Sequence, residues 1–194
     1  SQPDSCDLAA SRGVAVVITD HHALTCPLPA SAAAVVYPEH PETPGALRHL
    51  CGAGVAFKIA HQLARRHLDP DAGRALVQRL LPMAAIATVA DLVPLVGENR
   101  IVVGKGLDMI GSNGCGGNVG LHALKMVSGL FGAVTARSIA FGIAPRINAS
   151  GRVGTPRTVL ELLRTPDHAE ARRLAAALEE NNAERRRQET NAVD

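Results

Sequence analysis

Three neighbouring side chains, Asp20, His21 and His22, are the first in this sequence whose types could do chemistry together. One carboxylate and two imidazoles form an oxygen and nitrogen ligand set suited to Mn²⁺, Fe²⁺ or Zn²⁺. They follow Val14-Ala15-Val16-Val17-Ile18-Thr19, an unbroken run rich in β-branched residues and opened by Gly13. Such a run reads as a strand buried on both faces, as in a parallel sheet. Ligands of open α/β sheets bind outside the carboxyl ends of the strands, where the triplet falls. The competing reading is an Asx-type turn with two exposed histidines. The buried strand and the attached carboxylate favour metal.

Two further stretches carry candidates. Ala84 to Ala90 is apolar nearly all round, which predicts a buried helix, and Asp91 follows it directly with Leu92, Val93 and Leu95 behind. An ionised carboxylate in such surroundings is costly without a cation or several donors, so metal ligation stands ahead of a simple helix-ending Asp before Pro94. Farther on, Arg146 and Arg152 bracket Asn148 and Ser150. Pro145 and the small residues around it argue against a regular helix, so an irregular, donor-rich segment is expected. Its two guanidinium forks could hold a phosphate bidentately. A solvated surface turn is the alternative, and the apolar lead-in through Phe141 and Ile143 argues for a segment held against the body.

The elements that must position these groups are mostly helical. A second short strand spans Ala33 to Tyr37 and is stopped by Pro38, a spacing that suits a parallel neighbour of the first. A helix runs from Gly52 to about His67, with Val55, Ile59 and Leu63 on one face. Its Gly-x-Gly start could offer amides to a phosphate, although close helix packing explains small residues equally well. Asp69-Pro70-Asp71 caps the next helix, which runs to Pro82, before the buried helix from Met83. Gly97-Glu98-Asn99-Arg100 reads as a turn into another helix that runs to about Ile110. The glycine-rich Gly111 to Gly120 lacks the Gly-Lys-Ser/Thr ending of a phosphate cradle and is expected to be a flexible surface loop. Helical patterns resume at Leu121 to Ser128 and Thr135 to Ile139. After Thr165-Pro166-Asp167 one long helix carries Ala171, Leu174, Ala177 and Leu178, then turns polar all round from Glu179 to Glu189. A helix that outlasts its apolar face usually bridges to another domain.

Composition bounds the remainder. The 194 residues suffice for a real core, and with aromatics at 2% that core must be built from Ala, Val, Leu and Ile. A net charge of +2 does not announce a nucleic-acid binder, though a local cluster could still serve. Cys6, Cys26, Cys51 and Cys115 form no Cys-x-x-Cys pair, which speaks against a zinc ribbon or disulfide framework and for a reducing cytoplasm. No signal peptide or bilayer-spanning apolar run is present, so no membrane is expected as a partner. The chain opens without Met and closes inside a charged helical pattern, which reads as part of something longer.

Taken in order, Asp20-His21-His22 after the strand, Gly52-Ala53-Gly54-Val55-Ala56-Phe57-Lys58, Ala87 to Leu95 around Asp91, Gly97-Glu98-Asn99-Arg100 and Pro145 to Arg152 resemble the single-strand-specific exonucleases of the DHH phosphoesterase superfamily. The likeness runs from Ala9 to about Glu189. It implies an α/β fold: a remnant of a parallel Rossmann-like sheet, with strands near 14–19 and 33–37, then a mainly helical half. Residues 1–164 would be the C-terminal part of a DHH catalytic domain, and 165–194 the long helix connecting to a DHHA1-type domain. The implied reaction is hydrolysis of single-stranded DNA from a 5′ end, in repair and recombination, with a pair of Mn²⁺ or Mg²⁺ ions. His21, His22 and Asp91 match metal ligands; Asp20, His22 and Arg146 match catalytic positions. Arg146, Asn148, Ser150 and Arg152 match a segment facing the phosphate. Single-stranded DNA, a single-strand-binding protein and a recombination helicase are the implied partners. The family's upstream Asp-x-Asp and Asp-x-Gly motifs have no match in Asp4 or Asp7, so this stretch alone is expected to be inactive. Three other readings compete: a phosphoesterase acting on short oligonucleotides, cyclic dinucleotides or pyrophosphate, a non-catalytic nucleic-acid-binding module, and a helical structural domain, which metal binding would exclude.

Overall fold

The structure, a computed structural model, describes residues 3–22, 27–40, 42–112 and 114–191. Cys26, one of the four scattered cysteines, lies outside them. A helix α1 (Pro3–Ser11) leads through Gly13 into strand β1 (Val17–Thr19), which pairs in parallel with β2 (Ala34–Val36), Ile18 opposite Val35. The parallel pair is as expected, but the strands are shorter and are not buried on both faces. Val14 and Val17 are more than half exposed. With β2 as its one partner among the described residues, β1 lacks the layers that would cover it.

The body is helical. Cys51 caps α2 (Gly52–His67) through its thiol, which accepts from the Gly54 amide. Asp69 caps α3 (Pro70–Ala90) by accepting from the amides of Asp71 and Ala72. The sequence suggests a break at Pro82; α3 instead runs straight through it. Pro82 is fully buried, and the turn at Cys115–Gly117 packs over it, a Cβ on Gly116 falling 3.1 Å from its ring. That packing offsets the hydrogen bond a mid-helix proline forfeits. It also anchors the glycine-rich stretch, whose Cys115 is wholly buried rather than on a flexible surface loop. Burial pushes the Cys115 thiol pKa upward.

Helix α4 (Gly97–Gly111) crosses α3 so closely that a Cβ on Gly106 would lie 2.2 Å from that of Ala85. Helix α5 (Val119–Val127) meets α8 (Pro156–Arg164) at Gly120 in the same way. A single turn, α6 (Ala136–Ser138), passes through a π-helical turn (Ile139–Ile143) into α7 (Ala144–Ser150). Pro145 stands in the first turn of α7, where a missing N–H costs nothing, so the expected irregular segment is a helix. Asp167 opens α9 (His168–Asn191) by accepting from the Glu170 amide. Ala171, Leu174, Ala175 and Leu178 of α9 join Ile110, Leu121, Leu124, Ile139, Ile143 and Leu162 in one aliphatic core. The long helix is therefore part of the body as far as the buried Asn182, and residues 186–191 at its end are exposed.

Candidate active site

The end of β1 is organised by Asp20. Its Oδ1 accepts from the backbone amides of His21 (2.6 Å) and His22 (3.1 Å) and lies 2.8 Å from His22 Nδ1. These bonds, the His22 amide foremost and then the His22 ring and the His21 amide, bring the Asp20 carboxyl pKa down to about 2. The Asx-type turn and the candidate ligand set are thus the same structure. One carboxylate oxygen fixes the backbone that presents both rings, which sit 4.2 Å apart between centroids.

His21 points inward. Its side chain is 20% exposed, lies against the start of α2 where a Cβ on Gly52 would come 3.1 Å from Cδ2, and places Nδ1 3.5 Å from Asp91 Oδ2. Asp91 is the C-cap of α3, its amide bonded to the Ala87 carbonyl. The apolar flanks predict a buried carboxylate. Its side chain is 42% exposed instead, because Leu92 adopts φ +58° and swings out to 85% exposure, ending the helix at the surface. A carboxylate at a helix C-terminus sits in the negative end of the dipole. A left-handed leucine stores further strain. The first of these costs is one that a cation opposite Asp91 would offset.

His21 and Asp91 stand at the mouth of a cleft of about 490 Å³. Its other polar lining is Asn148 of α7 and the N-terminus of α2, whose dipole favours anions. The walls are apolar: Met83, Ile86 and Ala87 of α3, Ile147 of α7, Val159 and Leu163 of α8. The contribution of α8 went unread in the sequence, although Val159, Leu162 and Leu163 recur at helical spacing.

The arginine segment is divided by its helical turn. Asn148 reaches the cleft, but Arg146 does not line it. Arg146 is 9% exposed and turned into the body, where its guanidinium is ion-paired with Glu179 of α9 and donates to the carbonyls of Gly142 (2.6 Å) and Val127 (3.5 Å). Ser150 is likewise buried, donating to the Ile147 carbonyl. Arg152 is exposed past the end of α7 and outside the cleft lining. Residues two apart on a helix point to different sides, so a segment that becomes helical cannot present all its polar groups to one ligand. His22, for its part, faces Asp20 rather than the cleft. Among the described residues no three His, Cys, Asp or Glu side chains stand together at metal-ligand spacing. His21 and Asp91 fit a divalent cation as one edge of its donor set, a nitrogen and an oxygen converging from separate elements.

A parallel strand pair with a His-Asp cleft at its carboxyl end and a helical half closed by a long helix define a segment of a DHH-type phosphoesterase. No protein-family model matches the sequence. Individual relatives do. The chain is 36% identical over 188 residues to the single-stranded-DNA-specific exonuclease RecJ of Bacillus subtilis, a match covering 96% of this chain and 22% of that protein. It is 39% identical over 175 residues to RecJ of Thermus thermophilus, covering 90% and 24%. A crystal structure of exonuclease RecJ bound to manganese superposes with a TM-score of 0.83 at 35% identity, over 98% of this chain and 46% of that one. The chain belongs to the RecJ family and spans less than a third of the length of these two curated relatives.

Proposed function

We propose that the cleft at the end of β1 is a seat of metal-dependent phosphodiester hydrolysis, acting on single-stranded DNA from its 5′ end. The observation that carries this reading is the approach of His21, just past β1, to Asp91 at the end of α3, 3.5 Å between side chains, beside the N-terminus of α2. The names of the relatives as single-stranded-DNA-specific exonucleases, and the manganese in a related structure, support it.

In this proposal His21 and Asp91 hold a divalent cation, Mn²⁺ or Mg²⁺, while His22, its Nδ1 held by Asp20, would offer Nε2 to a cation on the outer side of the turn rather than in the cleft. When bound, a pair of such cations neutralises charge on the phosphate and lets water act as a nucleophile at neutral pH. Asp20 stays ionised and holds the two imidazoles in register through its three hydrogen bonds. The Asn148 amide donates to a phosphate or sugar oxygen, and the α2 N-terminus adds positive potential. The apolar walls from Ile86, Ile147 and Val159 take the nucleoside and exclude water. Arg152, at the surface, is the arginine of the pair assigned to an approaching phosphate; Arg146 acts by fixing α7 against α9. A role in repair and recombination, with a single-strand-binding protein and a recombination helicase as partners, belongs to the same proposal.

The test is His21→Ala and Asp91→Ala in the full-length protein, assayed on 5′-labelled single-stranded DNA with Mn²⁺. Both should lose turnover while keeping the circular dichroism of the parent. Full turnover of either variant at saturating Mn²⁺ would refute the assignment. Preference for cyclic dinucleotides over DNA would transfer the site to the small-substrate phosphoesterases.

A further inference from the structure

We infer that Phe141, with Arg137 stacked on it, is a base-stacking step that receives a single strand of nucleic acid on its way to the cleft. The inference rests on the exonuclease reading above and adds a site to it.

The chain contains three phenylalanines, one tyrosine and no tryptophan. Two of the phenylalanines are spent on the surface: Phe131 is 71% and Phe141 72% exposed. The Arg137 guanidinium lies 5.0 Å from the Phe141 ring centroid, covering part of one face while the ring stays open. An exposed ring paired with an arginine offers what an unpaired nucleotide requires, a π surface for the base and a cation for the adjoining phosphate. Every base has such a face, so the contact is tolerant of sequence, as an exonuclease needs.

The helical register links this ring to the cleft. Arg137, Phe141 and Asn148 are exposed, whereas Ile139, Ile143 and Arg146 are buried. The π-helical turn that carries Phe141 shifts the register by less than a quarter turn, so the three exposed residues form one stripe opposite the buried ones. Its far end, Asn148, lines the cleft beside His21 and Asp91. Seven residues at about 1.5 Å each set Phe141 roughly 10 Å from Asn148 along the axis. That distance is about three nucleotides at the ~3.4 Å spacing of a stacked strand. The ring also has a firm base. Gly142 packs against the Leu130 side chain, which a Cβ would meet at 3.3 Å, so the turn carrying Phe131 is seated on the same helix. The Arg146 contacts to Glu179 and the Gly142 carbonyl hold the helix from behind.

The experiment uses the full-length protein without divalent cation, so that binding is read with no cleavage. Fluorescence anisotropy would follow a labelled oligothymidylate of about 12 nucleotides. Phe141→Ala and Phe141→Leu should each weaken binding about tenfold, the loss of one stacked base. Phe141→Trp should keep the parent affinity, and the new indole fluorescence should be quenched when the strand binds. A dinucleotide, too short to reach from Asn148, should bind parent and variants alike. Parent-like binding of the long strand by Phe141→Leu overturns the inference. So does a fall in melting temperature for both truncations with binding unchanged, which would make the ring a packing surface for another stretch of protein. A parent protein that binds no single-stranded DNA overturns the exonuclease reading itself, and this inference with it.

Discussion

Gly104 and Gly106 lie two residues apart in α4, yet alanine should act on them with opposite signs. Gly104 faces solvent, and a methyl added there would meet nothing within 4 Å, so Gly104→Ala gains the helix preference of alanine, about 1 kcal/mol. Gly106→Ala gains the same preference but sets its methyl 2.2 Å from the Ala85 Cβ and 3.3 Å from the Leu81 carbonyl oxygen. Both neighbours are fixed to the backbone of α3, so restoring van der Waals contact requires the helices to part by about 1.5 Å. Overpacking of this kind costs about 1–3 kcal/mol, and with no side chain able to rotate away the upper end applies. The expected net change is a stabilisation of about 1 kcal/mol for Gly104→Ala and a destabilisation of about 2 kcal/mol for Gly106→Ala. In a domain of this size that separates the two melting temperatures by roughly 6–12 °C. Urea unfolding followed by circular dichroism measures the stability difference. Because α3 ends in Asp91, Gly106→Ala should also weaken Mn²⁺ binding, which Gly104→Ala should leave alone. Equal stability of the two variants would refute the close crossing of α3 and α4.

Three further outcomes can be checked directly. Gly52→Val should push the His21 ring off its seat and lower Mn²⁺ affinity by about tenfold with the fold intact, read by calorimetry; unchanged affinity would show that α2 does not set the imidazole. Glu179→Ala leaves the buried Arg146 guanidinium with carbonyls alone and should cost about 2–3 kcal/mol, discounted because Glu179 is a third exposed. Adding Arg146→Ala should then cost less than its own single change, and strict additivity in urea titrations would deny the coupling. The Asp167 carboxyl pKa is lowered in the fold, chiefly by the Glu170 amide, so its contribution is present above the unfolded pKa near ~3.9 and lost as pH falls through the folded value. The melting-temperature gap between Asp167→Ala and the parent should therefore close on acidification below pH ~4; a gap independent of pH would contradict the cap.

Local physics was sufficient for much of this protein. The helices at 52–67, 97–111 and 168–191 follow from apolar residues at helical spacing, and the caps at Asp69 and Asp167 from side-chain oxygens that can reach the first free amides. The parallel strand pair and the Asp20-His21-His22 turn at its end were legible for the same reason, since the groups that define them are neighbours in the chain. What tertiary structure alone decided are matters of partners far apart in sequence. Pro82 stays inside a helix because residues 115–117 pack on it. Arg146 is paired with Glu179, a partner that no spacing within residues 145–152 could reveal. Asp91 reaches the surface where Leu92 turns left-handed, a conformation that the residue types around it do not announce. Propensities and caps are worth about 1 kcal/mol each, and a buried contact or ion pair made across the core outweighs them. The chemistry-bearing residues could therefore be read along the chain, while the side of a helix each would face was set by the core.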